Sequence, residues 1–176
     1  MATTYTPREE LANSLTHGLG AALSVAGLVL LVIRAAQHGD AWHVVSTAIF
    51  GTTLVLLYAA STLYHSLRGE RLKQRLRKFD HAAIFLLIAG SYTPFVLVTL
   101  RGPWGWSLFG VVWGLAVAGM TIKFWLAGRF KLLSTLIYVA MGWLVLVAIK
   151  PLVAALPAGG MKLLVAGGLC YTGGAV

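Results

Sequence analysis

Apolar residues run through this chain in long blocks separated by short charged connections. Leu11 to Ile33 is a run of 23 residues without Asp, Glu, Lys or Arg, and Ala41 to Leu67 is one of 27. Ala82 to Leu100 gives 19, Gly102 to Ile122 gives 21, Leu132 to Ile149 gives 18 and Leu163 to Val176 gives 14. A helix needs roughly 20 apolar residues to cross the hydrocarbon core of a bilayer, within a range of about 17–25. The pattern predicts transmembrane helices over residues 14–36, 43–67, 80–100, 104–126 and 132–154, with a sixth over 160–176. Barrel strands are excluded because the runs lack apolar/polar alternation. A helix, by contrast, pairs its backbone amides within its own segment. The fold class is all-α, a polytopic transmembrane bundle forming one domain over residues 1–176. The sixth run stops at Val176 without a flanking charge, and a terminal carboxylate in hydrocarbon is costly. The chain is therefore expected to be truncated.

Punctuation agrees with the blocks. Turns are predicted at His38-Gly39-Asp40, Gly102-Pro103, Ala127-Gly128 and Pro157 with Gly159-Gly160. Trp42, Trp104 and Trp106 fall at predicted span ends, where an aromatic belt places them. Pro94 interrupts the third span and predicts a kink, with Ser91 or Thr93 satisfying the freed carbonyl groups. Gly114 with Ala118, and Gly167, Gly168, Gly173 and Gly174, predict close helix packing. The single Cys170 excludes an intramolecular disulfide and reads as a small buried hydrophobe.

Composition strengthens the membrane assignment and charge orients it. Hydrophobic residues make up 59% of the chain and charged ones 11%, against about 25% charged in soluble domains. The net charge of +9 raises nucleic acid as a partner, but the placement of the cations argues against it. Arg8, the segment with Arg68, Arg71, Lys73, Arg75, Arg77 and Lys78, and the group Lys123, Arg129 and Lys131 share one side of the membrane. Those ten basic residues face only Arg34, Arg101, Lys150 and Lys162 on the other. The richer side is cytoplasmic by the positive-inside rule, so the N-terminus is expected inside. In the basic segment Leu72, Leu76 and Phe79 recur at helical spacing, which suggests a short interfacial helix touching anionic headgroups.

Ionisable groups at membrane depth are functional candidates by default. Asn13 and His17 are four residues apart, as are Ser61 and His65, so each pair shares a helix face. Both histidines fall at the cytoplasmic ends of their spans, and Asp80 with His81 opens the third span on the same side. Each has a plainer explanation. Asp80 reads as a helix N-cap, the histidines as interfacial residues, and Asn13 and Ser61 as cross-helix hydrogen-bond partners. Convergence on one membrane level favours chemistry. Imidazole and carboxylate suit zinc, although spacing alone yields no complete ligand shell.

At these residues the chain resembles the bacterial hemolysin-III family, the prokaryotic branch of the progestin and adipoQ receptor group. The matching segments are EELANSLTHGLG (9–20), ASTLYHS (60–66), KFDHAAIFLLIAGSYTPF (78–95) and KLLSTLIYVAMGW (131–143). The resemblance implies a seven-helix bundle in a bacterial inner membrane with its N-terminus inside, of which about five and a half helices are present. It implies a ceramidase-like zinc hydrolase site in which His65 is a ligand, Asp80 holds the zinc-bound water as general base and Ser61 matches the motif. Further histidines belong to a seventh helix, while Asn13, His17 and His81 stand as second-layer residues. The leading expectation is zinc-dependent hydrolysis of a lipid amide or ester at the cytoplasmic leaflet, with membrane lipids as partners. A non-enzymatic membrane-homeostasis or sensor protein with a structural metal is the second, and a haemolytic pore-former the third.

Overall fold

The computed structural model describes residues 5–125 and 131–175, and within them it is helical with no strand. Helix α1 spans Pro7–His38, α2 Ala41–Ser66, α3 Glu70–Pro94 and α4 Pro103–Trp125. A π-helical turn, Phe95–Thr99, follows α3. Then come α5 (Lys131–Trp143), a 3₁₀ turn (Leu144–Ala148), α6 (Ile149–Ala155) and α7 (Ala158–Ala175). Among the described residues five helical stretches are long and apolar enough to cross a membrane, counting Ser134–Ala155 as one. The predicted turn at Ala127-Gly128, with Arg129, lies outside the described residues.

Local chemistry sets the helix ends. Thr6 caps α1 through a capping box with Glu9, and Pro7 occupies the first turn, where its missing N–H costs nothing. Asp40 caps α2, accepting from Trp42 N and His43 N, and receives Arg101 Nη1 at 3.2 Å. Its hydrogen bonds to His43 hold the Asp40 carboxyl down at about 2, so the cap is ionised at neutral pH. Trp42, Trp104 and Trp106 lie in the first turns of α2 and α4.

Helix α3 lies at the centre. Half of its apolar stretch is buried by protein, against 6% for α1, and it packs on α2, α4 and α5. Phe85 and Ala89 of α3 join Val112 and Ala116 of α4 and Met141 of α5 in the main core. Contacts are close where glycine allows. A Cβ at Gly51 would sit 2.5 Å from Leu28 Cδ1, and one at Gly20 2.6 Å from Tyr58 Cδ1. One at Gly90 would overlap the Thr53 side chain, and one at Gly119 the Phe85 ring. Space around Gly114, Gly167, Gly168, Gly173 and Gly174 is open, so the packing role expected there belongs to other glycines. Cys170 is exposed at the bundle surface rather than buried.

Three features of the backbone differ from expectation. The basic segment is not a separate interfacial helix, because α3 starts at Glu70 and runs unbroken through Asp80. Pro94 lacks the N–H for the helical ladder, and the chain answers with the π turn, in which Leu100 N–H reaches Phe95 O at 2.7 Å. Ser91 and Thr93 hydroxyls donate to Ile88 O and Ala89 O, upstream of the carbonyl that Pro94 frees. The fifth span divides at the 3₁₀ turn. There Tyr92 Oη donates to the Met141 and Gly142 carbonyls and accepts from Val145 N–H at 2.8 Å. Pro151 falls in the first turn of α6, where no donor is needed.

Gly90→Val is expected to destabilise the bundle by about 1–3 kcal/mol through overpacking against Thr53. Gly114→Ala, with open space, is expected to be neutral or stabilising by up to about 1 kcal/mol. Thermal unfolding in detergent measures both, and equal behaviour would refute the close-contact assignment.

Candidate functional site at the bundle end

Two helix pairs bring the candidate residues together. On α1, Glu10, Asn13 and His17 follow at spacings of three and four and face α2. On α2, Ser61 is buried at 3% exposure one turn before His65. His17 and His65 then stack at 5.7 Å between ring centroids, tilted by 33°. Tyr58, Tyr5 and Tyr64 enclose them, with Tyr64 at 4.6 Å from the His65 ring.

His65 is held by a residue the motif pattern had not singled out. Its Nδ1 lies 2.8 Å from Glu10 Oε2, and since a carboxylate only accepts, the ring N–H donates. The other Glu10 oxygen accepts from Lys73 Nζ on α3. The His65 side chain is 7% exposed and Glu10 18%, so the bridge is shielded. A signal for it existed in sequence. Glu10 stands two turns before His17, and Lys73 two turns before Asp80, so each shares a face with a candidate. Nothing in sequence paired positions 55 and 63 residues apart.

Asp80 lies inside α3, ten residues past its start, so the N-cap explanation fails. Its carboxylate, 14% exposed, lies close enough for its charge to act on His17 of α1, Tyr64 of α2 and Tyr138 of α5. His81 Nδ1 sits 3.4 Å from Asp80 Oδ2, yet that atom is buried without a hydrogen bond. Tyr138 Oη donates to the His81 carbonyl at 2.9 Å and fixes α5 beside the pair. His17 Nδ1 is likewise buried with no partner. Buried polar atoms are paired in the great majority of cases, and His17 Nδ1 and His81 Nδ1 both depart from that pattern at this end of the bundle. No group of three His, Cys, Asp or Glu side chains near enough to share a metal ion occurs among the described residues.

Five apolar helices of spanning length, with α3 packed on α2, α4 and α5, define a multi-pass helical membrane protein. The profile described as Haemolysin-III related matches residues 5–176, and the chain belongs to that family. It is similar to Hemolysin-3 of Bacillus cereus, 48% identical over 169 residues, covering 96% of this chain and 77% of the relative. The Hemolysin-3 homolog of Bacillus subtilis (strain 168) is 48% identical over 172 residues, covering 98% and 81%. The human Monocyte to macrophage differentiation factor is 26% identical over 142 residues, covering 77% and 58%, which fits the wider receptor group. No solved structure matches the chain.

Glu10→Ala leaves His65 and Lys73 without their shared carboxylate and is expected to destabilise the protein by about 1–3 kcal/mol. Glu70→Ala, at an exposed position, is expected to stay within about 0.5 kcal/mol. Matching losses in thermal unfolding would show that the bridge contributes nothing specific.

Proposed function

We propose that this protein is a zinc-dependent hydrolase of a lipid amide or ester at the cytoplasmic leaflet of a bacterial inner membrane, with its N-terminus inside. The observation that carries the reading is His65, fixed through Nδ1 by Glu10 and lying against the His17 ring, at the same end of the bundle as the mid-helix carboxylate Asp80. The donor types fit zinc, which takes imidazole nitrogen and carboxylate oxygen. His65 would hold the ion through the ring nitrogen that Glu10 leaves free, the tautomer a carboxylate partner enforces. Bound zinc polarises a carbonyl and brings a water to a pKa near 7.

The chain's own groups do the rest. Asp80 accepts a proton from the attacking water as general base and returns it to the leaving group. Ser61 supplies a hydroxyl on the face of His65, and Asn13, His17 and His81 complete the polar surround. The cations of the α3 extension lie at this same end, which supports a cytoplasmic assignment for it.

Metal analysis of a full-length sample that carries the seventh helix is expected to find zinc, lost in His65→Ala and kept in Asp80→Asn. Hydrolysis of an amide or ester lipid should fall by about 100-fold or more in Asp80→Asn. A protein without zinc, or zinc indifferent to His65→Ala, overturns the reading.

A second reading, a membrane-homeostasis protein with a structural metal, draws on the Glu10–His65–Lys73 bridge, which already gives His65 an architectural role. Lipid composition of a deletion strain complemented with Asp80→Ala separates the two, because only the hydrolase needs the base. The haemolytic reading rests on the relatives' names. The core of Phe85, Val112 and Met141 gives it no support, and graded dye release from liposomes at low protein density would be needed to restore it.

A further inference from the structure

The first ten residues of α3 carry three different faces. Glu70, Lys73, Gln74 and Arg77 turn towards α1 and the end of α2, where with Arg68 they line a cleft of about 750 Å³ beside His65. Leu72, Leu76 and Phe79 form the apolar face, while Arg71 and Arg75 are exposed elsewhere on the helix. The cleft size falls in the range of small-molecule sites, about 300–1,000 Å³.

Charge within the cleft does not cancel. Lys73 is committed to Glu10, whose carboxylate is also committed to His65. That leaves Arg68 and Arg77 among the lining residues against Glu70 alone, and neither arginine forms an ion pair among the described residues. The opposite side adds an apolar strip. Tyr5, Leu11 and Leu67 line it, and Leu11 is 59% exposed at the head of an outward-facing row that continues with Leu15 and Leu19. An occupant must therefore offer an anion to two guanidinium groups and a hydrocarbon chain to the lipid-facing row. Guanidinium groups pair with phosphate through two parallel N–H···O bonds.

We propose that this cleft is a binding site for a phosphate-headed anionic lipid, with Arg68 and Arg77 gripping the phosphate and the acyl chain leaving along Leu11 and Leu15. The inference concerns binding, goes beyond the hydrolase reading, and stands whether or not the bound lipid is cleaved.

The experiment titrates the purified full chain in neutral detergent with short-chain phosphatidylglycerol, following bound lipid by native mass spectrometry. Saturable binding is expected, weakened by about tenfold or more in the double variant Arg68→Gln/Arg77→Gln. Arg71→Gln/Arg75→Gln removes the same charge from outside the cleft and is expected to change affinity by less than about twofold. Unfolding temperatures without lipid should match across the variants, which separates lost binding from lost fold. Equal weakening in both double variants would reduce the effect to general surface charge and overturn the site. Equal binding of short-chain phosphatidylcholine would overturn the anionic preference. Equal binding of glycerol 1-phosphate would show a soluble phosphate site and overturn the lipid.

Discussion

The bridge from Glu10 to His65 and Lys73 sets the rotational position of α1, and the rest of the site depends on that position. Helices in lipid gain little from burying apolar faces against one another, since the tails are equally apolar. Rotation is then set by small residues and polar contacts. α1 shows the consequence, because Leu11, Leu15, Leu19 and Leu23 all face outward while Glu10 and His17 face α2. Gly20 against Tyr58 and Leu28 against Gly51 admit this arrangement, but only the carboxylate demands it. An exposed ion pair contributes about 0–1 kcal/mol. A shielded one joining three helices costs far more to break than to keep, because it strands its partners.

Helix α3 carries the complementary constraint. It is the most buried spanning helix, and it is where neighbours find their missing partners. Tyr92 serves the broken ladder between α5 and the 3₁₀ turn, and Thr93 accepts the Trp113 Nε1–H of α4. Both residues stand beside Pro94, so the helix that is itself interrupted also repairs an interruption elsewhere. Its continuity at the other end makes Asp80 unusual. A carboxylate at a helix start has free N–H groups to accept from, whereas one inside a helix finds those amides already bonded. Asp80 must draw its stabilisation from side chains and charges across the site.

Much of this was legible in the chain. Uncharged runs longer than a bilayer left no alternative to spanning helices, and the turn at His38-Gly39-Asp40 falls where α1 gives way to α2. His17 and His65 could be placed at one level by counting spans, and the structure puts their rings in contact. The start of α3 was not legible, since a run of six cations between 68 and 78 reads as a loop when hydropathy marks the span. Polar helix formers continue a helix as readily as apolar ones, so the hydropathy edge and the helix edge part by ten residues. Glu10 and Lys73 were missed for a related reason. Each looks like ordinary flanking charge, and only folding shows that they share a partner. The division of the fifth span depends on a tyrosine some fifty residues away, which no local pattern contains.

The two ends of the bundle differ in a way that bears on function. At one end Asp40 is bonded by Trp42 N, His43 and Arg101, and Arg101 also lies 4.8 Å over the Trp42 ring. Asp40 and Arg101 are partnered by near neighbours, and the cluster closes a helix cap. At the other end two imidazole nitrogens are buried without a hydrogen bond, two arginines line a cleft, and a carboxylate sits inside a helix. Sequences that fold reliably satisfy their polar groups, and departures from that rule gather where a ligand completes the set. The same chain has solved this problem at Asp40 with neighbours four residues away or less, together with one arginine. The bridge at Glu10 stands on the border, satisfied itself while presenting His65 to the unsatisfied side.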